Sequence, residues 1–160
     1  VMHKKMDIEN VKNFISKQSI STKIYLGSDS ERYNSKGLWY ADYALVVVVH
    51  YDGCRGAKLF GEVITERDYD QNKHKPRFRL MNEVYKVSGL YLQLADSIGD
   101  RYFEIHLDIN SDEKQGSNCV MAQAIGYIRA TCNVIPMVKP NAFAASYGAD
   151  RFKSIMGAKI

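Results

Sequence analysis

Apolar and polar positions along this chain switch between a helical and an alternating period, and the switches mark its elements. Residues 7–17 place Ile8, Val11, Phe14 and Ile15 on one helical stripe, with Asp7 as a natural N-cap. Residues 22–28 are largely apolar and break into Gly27-Ser28-Asp29-Ser30, which reads as a buried strand whose end delivers the Asp29 carboxylate to a small-residue turn. Residues 31–37 are polar, close on Lys36-Gly37 and read as a hairpin connection. Residues 38–51, built around Val46-Val47-Val48-Val49, predict a strand covered on both faces and therefore interior to a sheet. Asp52-Gly53 is a turn signal, and residues 57–65 predict a third strand at an edge.

From residue 78 to 98 the period becomes helical, with Met81, Val84, Val87, Leu90, Leu94 and Ile98 in one stripe and Pro76 suited to the helix entry. Glu83 sits on the flank of that stripe. Residues 101–109 alternate again, with Phe103, Ile105 and Leu107 on one face and Glu104, His106 and Asp108 on the other. Ser117 caps a small-residue helix over 118–131, residues 134–138 form a short strand with Pro136 suggesting an edge, and a last helix over 142–154 carries Asp150. The order is three antiparallel strands, helix, strand, helix, strand, helix. It predicts an α/β fold with a mixed five-stranded sheet, three strands antiparallel and then two parallel, flanked by helices. With 160 residues the expectation is one domain, an N-terminal helix within residues 1–20 and a core over 22–154.

Composition narrows the function classes without choosing one. The chain is 46% hydrophobic and 25% charged, which is ordinary for a folded soluble protein. A net charge of +4 permits a polyanionic partner. The apolar run of residues 44–49 is too short to span a bilayer, so no membrane association is expected, and the polar first ten residues do not read as a secretory signal. Cys54, Cys119 and Cys132 lack disulfide or zinc-ligand spacing, so reduced thiols in the cytoplasm are expected.

The candidate chemistry lies in the acidic residues. If the strands bearing Asp29 and Asp108 are adjacent and parallel, the two carboxylates meet beyond their carboxyl ends, where open α/β sheets place their sites. Glu83 and Asp150 can join from flanking helices. Such a group repels itself without a cation, and hard oxygen donors with no His or Cys among them suit Mg²⁺ or Mn²⁺. Two such ions support phosphodiester hydrolysis. The segment of residues 66–79 interleaves Arg67, Lys73, Lys75, Arg77 and Arg79 with Tyr69 and Phe78. It reads either as a solvated loop or as a contact for a nucleic-acid backbone, with Lys73, Lys75, Arg77 and Arg79 as the contacts.

The ordered motifs Gly27-Ser28-Asp29-Ser30, Arg79-Leu80-Met81-Asn82-Glu83-Val84, His106-Leu107-Asp108-Ile109-Asn110 and Lys139-Pro140-Asn141-Ala142-Phe143-Ala144-Ala145-Ser146 through Asp150 resemble the ribonuclease H-like superfamily, and within it the YkuK-type proteins. The resemblance implies that Asp29 is the first-strand ligand bridging both metals. It makes Glu83 the helix carboxylate, Asp108 the fourth-strand ligand and Asp150 the ligand from the terminal helix. The activity it implies is metal-dependent hydrolysis of RNA, DNA or hybrid. The chain departs from hybrid-cutting ribonucleases H in lacking both a histidine just before Asp150 and an inserted basic helix. Two other functions fit the same pattern: a non-catalytic nucleic-acid-binding or scaffold domain, and a phosphohydrolase acting on small nucleotides.

Overall fold

A computed structural model describes residues 5–53, 55–70, 77–110 and 120–139. The elements in chain order are α1 (Ile8–Ser16), β1 (Lys23–Ser35), β2 (Leu38–His50), β3 (Ala57–Arg67), α2 (Arg77–Ile98), β4 (Phe103–Asn110), α3 (Met121–Cys132) and β5 (Met137–Lys139). The five strands form one sheet in the order β3-β2-β1-β4-β5. β1, β2 and β3 are antiparallel neighbours, while β1–β4 and β4–β5 are parallel. This is the mixed α/β sheet the element order predicts. The expected last helix over 142–154, with Asp150, lies outside the described residues, as do the Ser117 cap and residues 71–76.

One layer of core joins the described helices to the sheet. Val11 and Ile15 from α1, Leu80, Val84, Val87, Leu94 and Ile98 from α2, and Ala124 and Ile128 from α3 bury against Leu26, Val47, Ile105 and Leu107. The other face carries a smaller cluster of Ala44 and Val46 with Leu59 and Val63. Val46, Val47 and Val49 are fully buried, as expected of an interior strand. Among the described residues no helix is long and apolar enough to cross a membrane. Asp7 caps α1 as expected, its carboxylate accepting from the Asn10 N–H at 3.2 Å.

β1 corrects one expectation. It does not end in a turn at Asp29 but continues to Ser35, and the polar residues 31–35 are strand rather than connection. The reason is the partner: β2 pairs with β1 without interruption from Lys23↔His50 to Ser35↔Leu38, so the polar backbone is satisfied by the ladder. The connection itself is only Lys36-Gly37, with φ of 52° and 80°. Two central residues at positive φ make the tight hairpin turn whose twist matches the flanking strands.

Gly37 meets nothing within 4 Å, so only its φ of 80° resists a side chain. Gly37→Ala is expected to lower unfolding stability by about 1 kcal/mol, read as a shifted urea midpoint at unchanged slope. An unshifted midpoint would contradict the turn assignment.

Candidate functional site at the open end of the parallel pair

The parallel ladder of β1 with β4 runs from Ile24↔Phe103 to Ser28↔Leu107 and stops. Asp29 and Asp108 are the next residue on each strand, so they stand side by side where the two strands separate. Alternation puts Asp29 on the same face as Gly27 and Tyr25, and Asp108 on the same face as His106 and Glu104. This is the face opposite the helices, since Ser28 and Ser30 turn toward α2. Asp29 is partly buried and its carboxylate accepts from the Ser30 N–H at 2.9 Å. Among the described residues only β2 borders β1 beyond Ser28, so there this half of β1 is an edge around which a side chain from α2 can reach.

Glu83 comes from that side. It is 4% exposed, and its backbone carbonyl accepts from the Ser28 hydroxyl at 3.0 Å, which fixes α2 over β1. Burial pushes the Glu83 carboxyl well above the ordinary range, the charge of Asp29 adds to this, Arg79 opposes it, and Asp108 raises it further. A hydrogen bond from the Ser30 hydroxyl also favours its charged form. Three of the four expected carboxylates are therefore brought within electrostatic reach of one another. Among the described residues no three His, Cys, Asp or Glu side chains are grouped so as to hold a metal ion by themselves. The donor chemistry fits a hard divalent cation, all carboxylate oxygen and mutually repulsive, but Asp150 lies outside the described residues.

The expected nucleic-acid contacts separate. Arg79 turns inward, its Nη1 donating to the Ser30 hydroxyl at 2.9 Å and to the Ser30 carbonyl at 3.2 Å. Arg77 is exposed and donates to Gln123 at 3.2 Å. Lys73 and Lys75 lie outside the described residues. Two acids of the same segment, Asp68 and Asp70, are buried. Asp68 pairs with Arg32 at 2.6 Å, and both Asp70 carboxylate oxygens accept from the first N–H groups of α2, Phe78 and Arg79, at 2.9 Å. Asp70 thus caps α2 from outside the helix.

Sequence reasoning missed Ser30 and Asp70. The signal for Ser30 was its two-residue spacing from Ser28, which puts both hydroxyls on the helix-facing side of one strand. Asp70 acts across a gap of eight and nine residues, a spacing that matches no capping motif. His106 is fully buried and shares Glu104 with Tyr102, its Nε2 lying 2.7 Å from Glu104. Burial pushes its imidazole down, and the Glu104 contact only partly offsets this.

A family model described as Ribonuclease H-like matches residues 7–154. Comparison with the curated proteins and with the solved structures gives no match.

Two stability outcomes test this geometry. Asp70→Ala leaves the first N–H groups of α2 without their carboxylate and is expected to cost about 1–2 kcal/mol in urea unfolding. Glu83→Gln, measured at neutral pH in chelator, is expected to raise the unfolding midpoint, because on folding the parent must either bury that charge beside Asp29 and Asp108 or take up a proton to neutralise it. A lowered midpoint for Glu83→Gln would mean that the three carboxylates do not repel one another.

Proposed function

The chain belongs to the Ribonuclease H-like family, and we propose that it is a metal-dependent nuclease of the YkuK type that hydrolyses nucleic-acid phosphodiester bonds using two Mg²⁺ or Mn²⁺ ions. The observation that carries the reading is the register of β1 on β4. It sets Asp29 beside Asp108 at the open end of the parallel pair, with the Glu83 charge close enough to feel both.

In this reading Asp29, Glu83, Asp108 and Asp150 hold the ions. When bound, the ions supply an activated water and stabilise the leaving oxygen. The chain's own residues set the donors in place. β1 and β4 present Asp29 and Asp108 where their parallel ladder ends, on strands whose other face is buried in the core. Ser28 anchors α2 through the Glu83 carbonyl, and Ser30 orients the Glu83 carboxylate. Arg79 holds Ser30 in turn and supplies a compensating positive charge. Arg79 therefore acts on the acidic cluster, while Lys73, Lys75 and Arg77 remain as contacts for the nucleic-acid backbone. Cytoplasmic residence goes with the reading, and Cys132 is a free, buried thiol.

A second reading, a non-catalytic nucleic-acid-binding or scaffold domain, is favoured by one observation. Among the described residues the acids do not group into a metal site on their own. Cleavage assays on single-stranded, hybrid and branched substrates separate the two. The nuclease reading expects chelator-sensitive cleavage with Mg²⁺ or Mn²⁺, and a fall of at least about 100-fold for Asp29→Asn and Asp108→Asn. Salt-dependent binding of nucleic acid without turnover, unchanged by either variant, would leave only the second reading.

A further inference from the structure

The distal half of the β1–β2 hairpin extends past the end of β4, and its outer row carries rings. Tyr33 pairs with Tyr40 across β1 and β2, and Tyr40 pairs with Arg67 across β2 and β3. The three side chains therefore form one row on one face of the sheet. Tyr33 and Tyr40 are stacked, with centroids 5.8 Å apart and planes 22° from parallel. The Arg67 guanidinium lies 5.6 Å from the Tyr40 ring and 5.4 Å from the Tyr69 ring. Tyr69 is 68% exposed. The Tyr33 hydroxyl is hydrogen-bonded to Thr65, which itself donates to Asp42 at 2.5 Å, so the first ring of the row is pinned.

This row faces the same way as Asp29. Residues 29, 31 and 33 of one uninterrupted strand share a face, and four residues of strand place Tyr33 roughly 13 Å from Asp29. The row's one charge is Arg67, and the next row toward Asp29 carries Glu31 and Asp42. Phosphate attraction alone is weak here, and a duplex, with its bases stacked inside, offers little else. A single strand offers base faces, which stack on tyrosine and on arginine planes whatever their sequence.

We propose that Tyr33, Tyr40, Arg67 and Tyr69 form a stacking platform that binds the bases of single-stranded nucleic acid and leads the strand to the Asp29–Asp108 end of the sheet. The platform rests on the nuclease reading for its purpose but not for its binding, which needs no metal.

The test is fluorescence anisotropy of labelled 12-residue oligo(dT), oligo(U) and a hairpin duplex, titrated with the full chain in chelator at several salt concentrations. Both single strands are expected to bind at least about tenfold more tightly than the duplex. Arg67→Gln should make their salt slope shallower by about 0.7, the share of one phosphate contact. Tyr40→Leu and Tyr33→Leu should each weaken single-strand binding about tenfold, while Tyr40→Phe binds as the parent does. If a leucine variant does not fold, Arg67→Gln and the exposed Tyr69→Ala are expected to show the same loss. Equal affinity for duplex and single strand, unchanged binding by the folded platform variants, no binding of either strand, or tighter binding of a proline-rich peptide would each overturn the platform. A chain that binds single strands through these residues yet never cleaves them removes the nuclease reading and keeps the platform. Metal-dependent cleavage with Tyr40→Leu binding unchanged does the reverse.

Discussion

Two serine hydroxyls on one strand fix where the longest described helix, buried on the sheet by its apolar stripe, sets Glu83. Ser28 donates to the Glu83 carbonyl, and Ser30 joins the Glu83 carboxylate to Arg79. Serine is required there because the approach is close and both groups it meets are polar and buried. An apolar side chain of the same size removes the second hydrogen bond of the Glu83 carbonyl, which the helix still satisfies once, and takes a donor from the buried carboxylate, a cost of roughly 1–3 kcal/mol and more where the group is charged. What is proposed for the acidic cluster depends on this contact, which seats the Glu83 carboxylate beside the strand that carries Asp29.

The same contact explains a tension within the cluster. Glu83 is nearly excluded from solvent, and the neighbouring charges of Asp29 and Asp108 disfavour its ionised form. Arg79 offsets part of that repulsion. A fold has no stability reason to collect buried carboxylates at the end of a parallel pair, and such arrangements mark sites where function outweighs stability. Arg79 and Asp70 show how the cost is contained: one carries the compensating charge, and the other ties the first turn of α2 in place.

Much of the fold was legible because each element carries an undivided period. The valine run of β2, the stripe of α2 and the alternation of β4 each match one kind of structure, and the sheet order follows from connection lengths. The site was legible in part. Asp29 closes the apolar run of its strand and Asp108 falls near the end of an alternating one, which is local and readable; the parallel register then sets them side by side. The extent of β1 was not legible, since residues 31–35 are polar and only the full register with β2 keeps them extended. Arg79 read as one cation among several in a basic segment, and its inward turn depends on Ser30, which is far away in sequence. The row of Tyr33, Tyr40 and Arg67 was equally hidden, because it forms only when three strands are laid in register.

The central claim is that Asp29 and Asp108 share a divalent cation at the open end of the β1–β4 pair. A crystal of the full chain soaked in Mn²⁺ and measured for anomalous scattering tests this most directly. The account predicts anomalous density bridging the Asp29 and Asp108 carboxylates, with a Glu83 oxygen close by. Ordered side chains at all three positions with no manganese between them, or manganese bound only elsewhere, would contradict it.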